Sequence, residues 1–238
     1  MHKGRPIGCV AFGAGSIGNA SVATLLKDFR ARLKKVGGAA PPPFDVDNFS
    51  MEAAAAALSA FLESECDQVQ PPNPKPTLGI LIGGYSSGQS LAEGWNVTIR
   101  GGKADKPSRL RAEGEVGINW GGEAEAVARL VLGFSPRLPL LLGTVIKTNQ
   151  PEVISQIEST LRQKLQAPIV FPPMPIQDAI DLAEFLVHVN IVFSRFTPGA
   201  PTVGGPIEIA VMTKHEGFKW IKRKHYYDVQ LNRESAHD

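Results

Sequence analysis

The order of signals along the chain predicts an α+β fold with mainly antiparallel sheets. Strand-like runs come in clusters, helical patterns arrive in groups, and the chain closes on a hairpin signal. Strands met in runs and joined by turns pair antiparallel with their helices segregated, whereas a parallel sheet needs a long crossover after each strand.

The elements follow in order. Ile7–Phe12 reads as a short buried strand broken by the glycine-rich 13–18. A helix is predicted from Ser21 to Lys35, capped by Asn19 or Ser21, with Val22, Leu25, Leu26, Phe29 and Leu33 on one stripe. Gly37-Gly38 stops it, and Pro41-Pro42-Pro43 forbids a restart. Ser50 then caps an alanine-rich helix over Met51–Cys66, and 70–76 is a proline-rich connector. Thr77–Gly84 is an apolar strand and Ser86–Gln89 a turn. Leu91–Arg100 is a second strand with Trp95, Val97 and Ile99 on one face. Residues 101–113 read as a loop, Gly114–Trp120 as a strand, and Glu123–Leu132 as a helix. Phe134–Pro151 reads as irregular and Glu152–Gln166 as an amphipathic helix. Pro168–Pro175 connects to a helix over Ile176–Phe193, with Ile180, Leu182, Ala183, Leu186, Val187 and Val189 inward. Pro206–Thr213 and Phe218–Ile221 form a closing hairpin around His215–Gly217. This organisation predicts one domain over 1–221, with a helical insertion at about 134–172 and a polar tail over 222–238.

With 238 residues, 43% of them hydrophobic, the chain can bury a sizeable core. A formal charge of +2 argues for neither nucleic acid nor membrane as a partner. Cys9 and Cys66, the two cysteines, fit a reducing compartment and exclude a cysteine-rich zinc site. The start MHKGRPIGCV carries no signal-peptide pattern, and no apolar run reaches the ~18–20 residues of a membrane span. The expected compartment is therefore the cytoplasm.

Two motifs carry possible chemistry. Gly13, Gly15 and Gly18 form G-A-G-S-I-G between a strand and a helix, the fingerprint of a dinucleotide site. That fold needs a second parallel strand ending in an acid about 20 residues on. Here Asp45 and Asp47 have no strand to sit on. Gly84-Tyr85-Ser86-Ser87-Gly88 fits the nucleophile elbow of serine hydrolases, and Asp178 or Asp181 with His188 or His215 would follow in the right order. A strand follows Gly88 where the elbow needs a helix, so a hairpin turn is the simpler reading of Ser86. His188 reads as a satisfied core histidine. Lys219–Lys224, with Trp220 among its charges, reads as a solvated strand end followed by His225, Tyr226 and Tyr227. No histidines stand at metal-ligand spacing, and no cofactor is expected.

Several segments together resemble the proteasome-like family of N-terminal-nucleophile hydrolases. PIGCVAFGAGSIGNAS is similar to the strand, small-residue turn and first-helix start of that family, and the two helices that follow match its first pair. TLGILIGGYSSGQSLAEGWNVTIRGG resembles its central hairpin, and INWGGEAEAVARLVL its middle strand, glycine turn and helix. PMPIQDAIDLAEFLVHVNIVFSRF with VGGPIEIAVMTKHEGFKWI resembles its late helix and closing hairpin.

The resemblance implies two stacked antiparallel sheets between helical layers and assembly with copies or related subunits. It also implies a peptide or amide as substrate where members are active. The family's nucleophile is an N-terminal threonine whose own amine is the base. The resemblance implies an oxyanion N–H at Gly15 and substrate contacts at Asn119, Gly121 and Gly122. The chain opens Met-His-Lys-Gly, and the six residues before Ile7 are too few for the family's first two strands. Trp120, Ala200 and Val203 stand where the family pattern has a serine, an acid and a serine. The resemblance therefore implies a non-catalytic or N-terminally incomplete member. The alternatives are an active threonine-type hydrolase whose first strands lie outside this sequence, a serine hydrolase using Ser86, and a dinucleotide-binding protein using 13–18.

Overall fold

A computed structural model of the chain describes residues 6–33, 45, 47–70, 74–111 and 115–224. Gly37-Gly38, the triple proline and the tail beyond residue 224 lie outside the described residues. Fifteen elements follow one another: β1 (Ile7–Gly13), β2 (Ser16–Ile17), β3 (Ala20–Ser21), α1 (Val22–Arg32), α2 (Met51–Asp67), β4 (Leu78–Gly84), β5 (Glu93–Arg100), β6 (Lys103–Ala104), β7 (Ser108–Arg109), α3 (Glu125–Leu132), α4 (Leu138–Val145), α5 (Pro151–Leu165), α6 (Ile176–Phe196), β8 (Ile209–Thr213) and β9 (Gly217–Lys222). The fold is mixed α+β, and the pairings of β1 through β7 are antiparallel.

Contacts divide the chain into two compact units, where the sequence reading drew one domain over 1–221. Met1–Gly122 with Met212–Lys219 forms the first, and Glu123–Val211 with Trp220–Asp238 the second.

In the first unit one five-stranded sheet runs β1-β4-β5-β6, with β7 also on β5. Its register sets Ile82 opposite both Cys9 and Trp95, and Ile80 opposite Ala11 and Val97. The period of two then puts Leu78, Ile80 and Ile82 on the same face as Trp95, Val97 and Ile99, and all six are buried. Helix α2 supplies the other half of this core through Ala54, Ala55, Leu58 and Leu62, each at most 2% exposed. Alanines at 54 and 55 bring the helix backbone close to the sheet. Ser50 caps α2 through the Ala53 N–H at 3.0 Å, and Ser21 caps α1 through the Thr24 N–H at 3.1 Å. Val22, Leu25, Phe29 and Leu33 are buried and Leu26 is half-buried, as the stripe requires. Phe29 meets Phe61 with ring centroids 5.4 Å apart, and the Arg32 guanidinium lies 4.5 Å from the Phe61 ring.

The opposite sheet face is built on glycines. Phe12 faces Gly79 across the β1–β4 pair, and its ring occupies the space where a Gly79 Cβ would stand. Gly94 lies under Leu110 and Gly8 under Phe218. Val10, on the same face, is 67% exposed.

The second unit is helical. Gly133, at φ +79°, ends α3 in the left-handed region that glycine favours. Helices α4 and α5 follow, and α6 is the longest helix of the chain's described residues.

Three local expectations are corrected. Residues 115–120 form no strand: they join none of the sheets, and Gly117 breaks the run of side chains that a strand would pack. The stretch 134–151 contains α4: Pro139 suits a first helical turn, and Leu140–Leu142 extend it. On α6 only Leu186 of the six expected inward residues is buried, together with Ser194; Val187 is 43% exposed. That helix is apolar around more of its circumference than its partners cover.

Candidate functional site

Ser86 sits at the end of β4 in a turn that leads into β5, not into a helix. It is 8% exposed. Its hydroxyl donates to Glu93 Oε1 at 2.7 Å and accepts the Met51 N–H at 2.9 Å. Ser87 Oγ accepts the Phe49 N–H at 3.0 Å and donates to the Asp47 carbonyl at 3.3 Å. The two serines therefore satisfy the amides just before and at the start of α2, which have no partners within the helix. Glu93 anchors this brace. Its other oxygen accepts Trp95 Nε1 at 3.3 Å, and Arg109 approaches at 3.8 Å. A nucleophile elbow needs an imidazole on the serine hydroxyl and an open approach; Ser86 has a carboxylate on it and is buried. Asp178, Asp181 and His188 belong to the second unit, on α6, where all three are exposed and Asp181 bonds Gln177 at 2.8 Å. His188 is thus a surface residue rather than a satisfied core histidine. His215 is exposed in the β8–β9 turn.

The glycine segment folds on itself before α1 begins. β2 and β3 pair Ser16 with Ser21 and Ile17 with Ala20, and Gly18, at φ +54°, turns between them. In a dinucleotide site the glycines bring the pyrophosphate to the helix N-terminus. Here Ser21 and Thr24 occupy that terminus, and the Gly15 carbonyl accepts the Val22 N–H at 2.9 Å. Asp45, one of the two possible ribose acids, folds into a local turn, accepting the N–H groups of Asp47 and Asn48.

Gly15 is exposed, and a Cβ there would meet nothing within 4 Å. An oxyanion donor acts in a water-excluded site, so its surroundings differ from those the resemblance implies. Asn119, Gly121 and Gly122 lie in the irregular segment before α3 and are exposed. Gly121 lies against Phe12, whose ring a Cβ would strike, and Gly122 takes φ +79°. A shallow concavity of about 470 Å³ opens between the β2–β3 ribbon and the end of α2, lined by Ile17, Asn19, Glu65, Gln68 and Val69 among others.

The titratable groups are tuned by ordinary causes. Burial pushes the Cys9 thiol up to about 11 and raises Cys66 as well, which makes both poor nucleophiles. Hydrogen bonds from Lys103 and then Lys75 hold the Asp67 carboxyl below its usual range. Desolvation would raise Glu125, but hydrogen bonds from Ser135 and Arg129 outweigh it and lower the carboxyl. No group of three metal-ligating side chains occurs among the described residues, and none of their helices is long and apolar enough to cross a membrane.

The reading of the residues missed Glu93, the anchor of the Ser86 brace. Its signal was an acid opening a strand two residues before a tryptophan, and only the β4–β5 register brings it to the serine. No family model, no curated protein and no solved structure matches this chain.

Proposed function

We propose that the chain is a non-catalytic member of the proteasome-like N-terminal-nucleophile fold, a scaffold subunit rather than a peptidase. The carrying observation is the path of the first unit: a strand, two helices of which the second covers one sheet face and the first packs on the second, then an antiparallel pair joined to the first strand. The second face supports a further layer. Val10 is exposed there. A second sheet stacked on that face would complete the two-sheet sandwich.

A threonine-type mechanism needs further groups to position and tune its nucleophile, and Trp120, Ala200 and Val203 stand where the family pattern has a serine, an acid and a serine. The test is a fluorogenic-peptide assay on purified protein whose N-terminus has been confirmed by mass spectrometry. The expected result is no turnover above buffer. Steady turnover blocked by an epoxyketone, from a chain still beginning at Met1, would overturn the non-catalytic reading. An experimental structure with a bare Val10 face would overturn the sandwich.

A further inference from the structure

Helix α6 carries a repeat that its own unit leaves uncovered. Leu182, Phe185, Val189, Val192 and Phe196 recur at alternating steps of three and four, the spacing of a coiled-coil seam. Phe185 is 50% and Phe196 82% exposed, and the other three are half-buried. The contacts that hold α6 in its unit lie on other sides of the helix. Asn190 donates to the Glu123 carbonyl, Ser194 accepts the Thr202 N–H, and Glu184 pairs with Lys222. The seam therefore lies on a different side of α6 from its contacts with Glu123, Thr202 and Lys222.

The charges choose the occupant and its direction. Along one rim of the seam stand Asp181, His188 and Arg195, seven residues apart. Two α6 helices related by a twofold axis perpendicular to both keep the same rim on the same side and reverse its order. Asp181 of one chain then faces Arg195 of the other. Asp178 continues the seam toward the helix start. A parallel pair would set two Asp178 carboxylates side by side, whereas an antiparallel pair carries each beyond the partner's Phe196. The seam is thus self-complementary in one orientation and self-repelling in the other.

We propose that α6 is a homodimer interface, in which a second copy of this chain packs antiparallel on the Leu182–Phe196 seam, centred near His188. Leu182 and Phe185 of one copy interlock with Val192 and Phe196 of the other, and each rim closes with an Asp181–Arg195 pair. This pairing does not depend on the proteasome-like reading.

Sedimentation velocity on the full chain across a concentration series tests it. Wild type should show a monomer–dimer equilibrium, and Phe185→Asp with Phe196→Asp should abolish it. Both positions face solvent in the free chain, so far-ultraviolet circular dichroism should be unchanged. Arg195→Asp removes both rim pairs of the symmetric dimer and should weaken it roughly 10–30-fold, two ion pairs at ~0.7–1 kcal/mol each. Adding Asp181→Arg to Arg195→Asp should restore wild-type affinity, because the rim pair is then reversed on both sides. A monomeric wild type, as when another segment of the same chain covers the seam, would overturn the proposal. A dimer indifferent to the double phenylalanine change, or a charge swap as weak as the single variant, would also overturn it.

Discussion

The two units bury their apolar residues very differently. In the first, α2 and three strands close on one continuous core in which Leu58, Leu62, Ile80, Val97 and Ile99 are fully enclosed. In the second, α3 buries one face, but α5 buries no residue and α6 only Leu186 and Ser194. Leu140, Leu141 and Val145 of α4 are all more than half exposed. A sheet face accepts side chains from many sequence-distant residues at once. Short helices joined end to end need a further surface, and this unit keeps apolar surface available for one.

The largest expected effect tests that contrast directly. Leu58→Ala should cost about 2–5 kcal/mol, because the site is walled by a sheet and cannot collapse. Leu141→Ala, exposed on α4, should stay within ~0.5 kcal/mol. Urea denaturation combined with native-state hydrogen exchange reads both. Amides of α2 and β4 should be among the slowest and those of α5 among the fastest. Equal losses at 58 and 141 would break the comparison.

Next comes Gly79→Ala, whose new methyl runs into the Phe12 ring. Overpacking of this kind costs about 1–3 kcal/mol. Combining it with Phe12→Val should cost less than the sum of the two single changes, which a double-mutant cycle measures.

Ser86→Ala removes the acceptor of the Met51 N–H and a donor to Glu93 together. Groups left unsatisfied in a buried site cost about 1–3 kcal/mol, so the midpoint in urea should fall. A fluorophosphonate probe should leave the wild-type protein unlabelled. Stoichiometric labelling lost in Ser86→Ala would mean that the brace is instead a reactive centre.

The smallest effect concerns Asp67, bonded to Lys103 and Lys75 at the surface. Its folded carboxyl titrates below its unfolded value of 3.8. The contribution is therefore full above the unfolded range and is lost as pH falls through the lowered folded value. Asp67→Asn should flatten the acid limb of the stability curve slightly, and added salt should shrink the difference.

Much of the first unit was legible in the sequence because its signals are local. Ser21 and Ser50 stand where the caps form, and Trp95, Val97 and Ile99 alternate onto one buried face as their spacing demands. The Ser86 turn was legible for the same reason. What escaped is non-local. The strand expected over 114–120 joins none of the sheets, because strand formation needs a neighbour edge, which no window of sequence contains. The apolar excess on α6 was read as inward-facing because hydrophobicity says that a side chain prefers cover, not which surface supplies it. Glu93 was missed because its importance rests on a partner seven residues away, reached across a hairpin.

Phe12 is wedged between Gly79 and Gly121, and that arrangement limits how this sequence can drift. A larger residue at either glycine meets the same ring. Neither glycine can be replaced cheaply until position 12 has first become smaller, and a smaller residue at 12 leaves a void that favours larger neighbours. The three positions are thus linked by historical contingency: the order of substitutions, and not only their final combination, decides which descendants of this chain still fold.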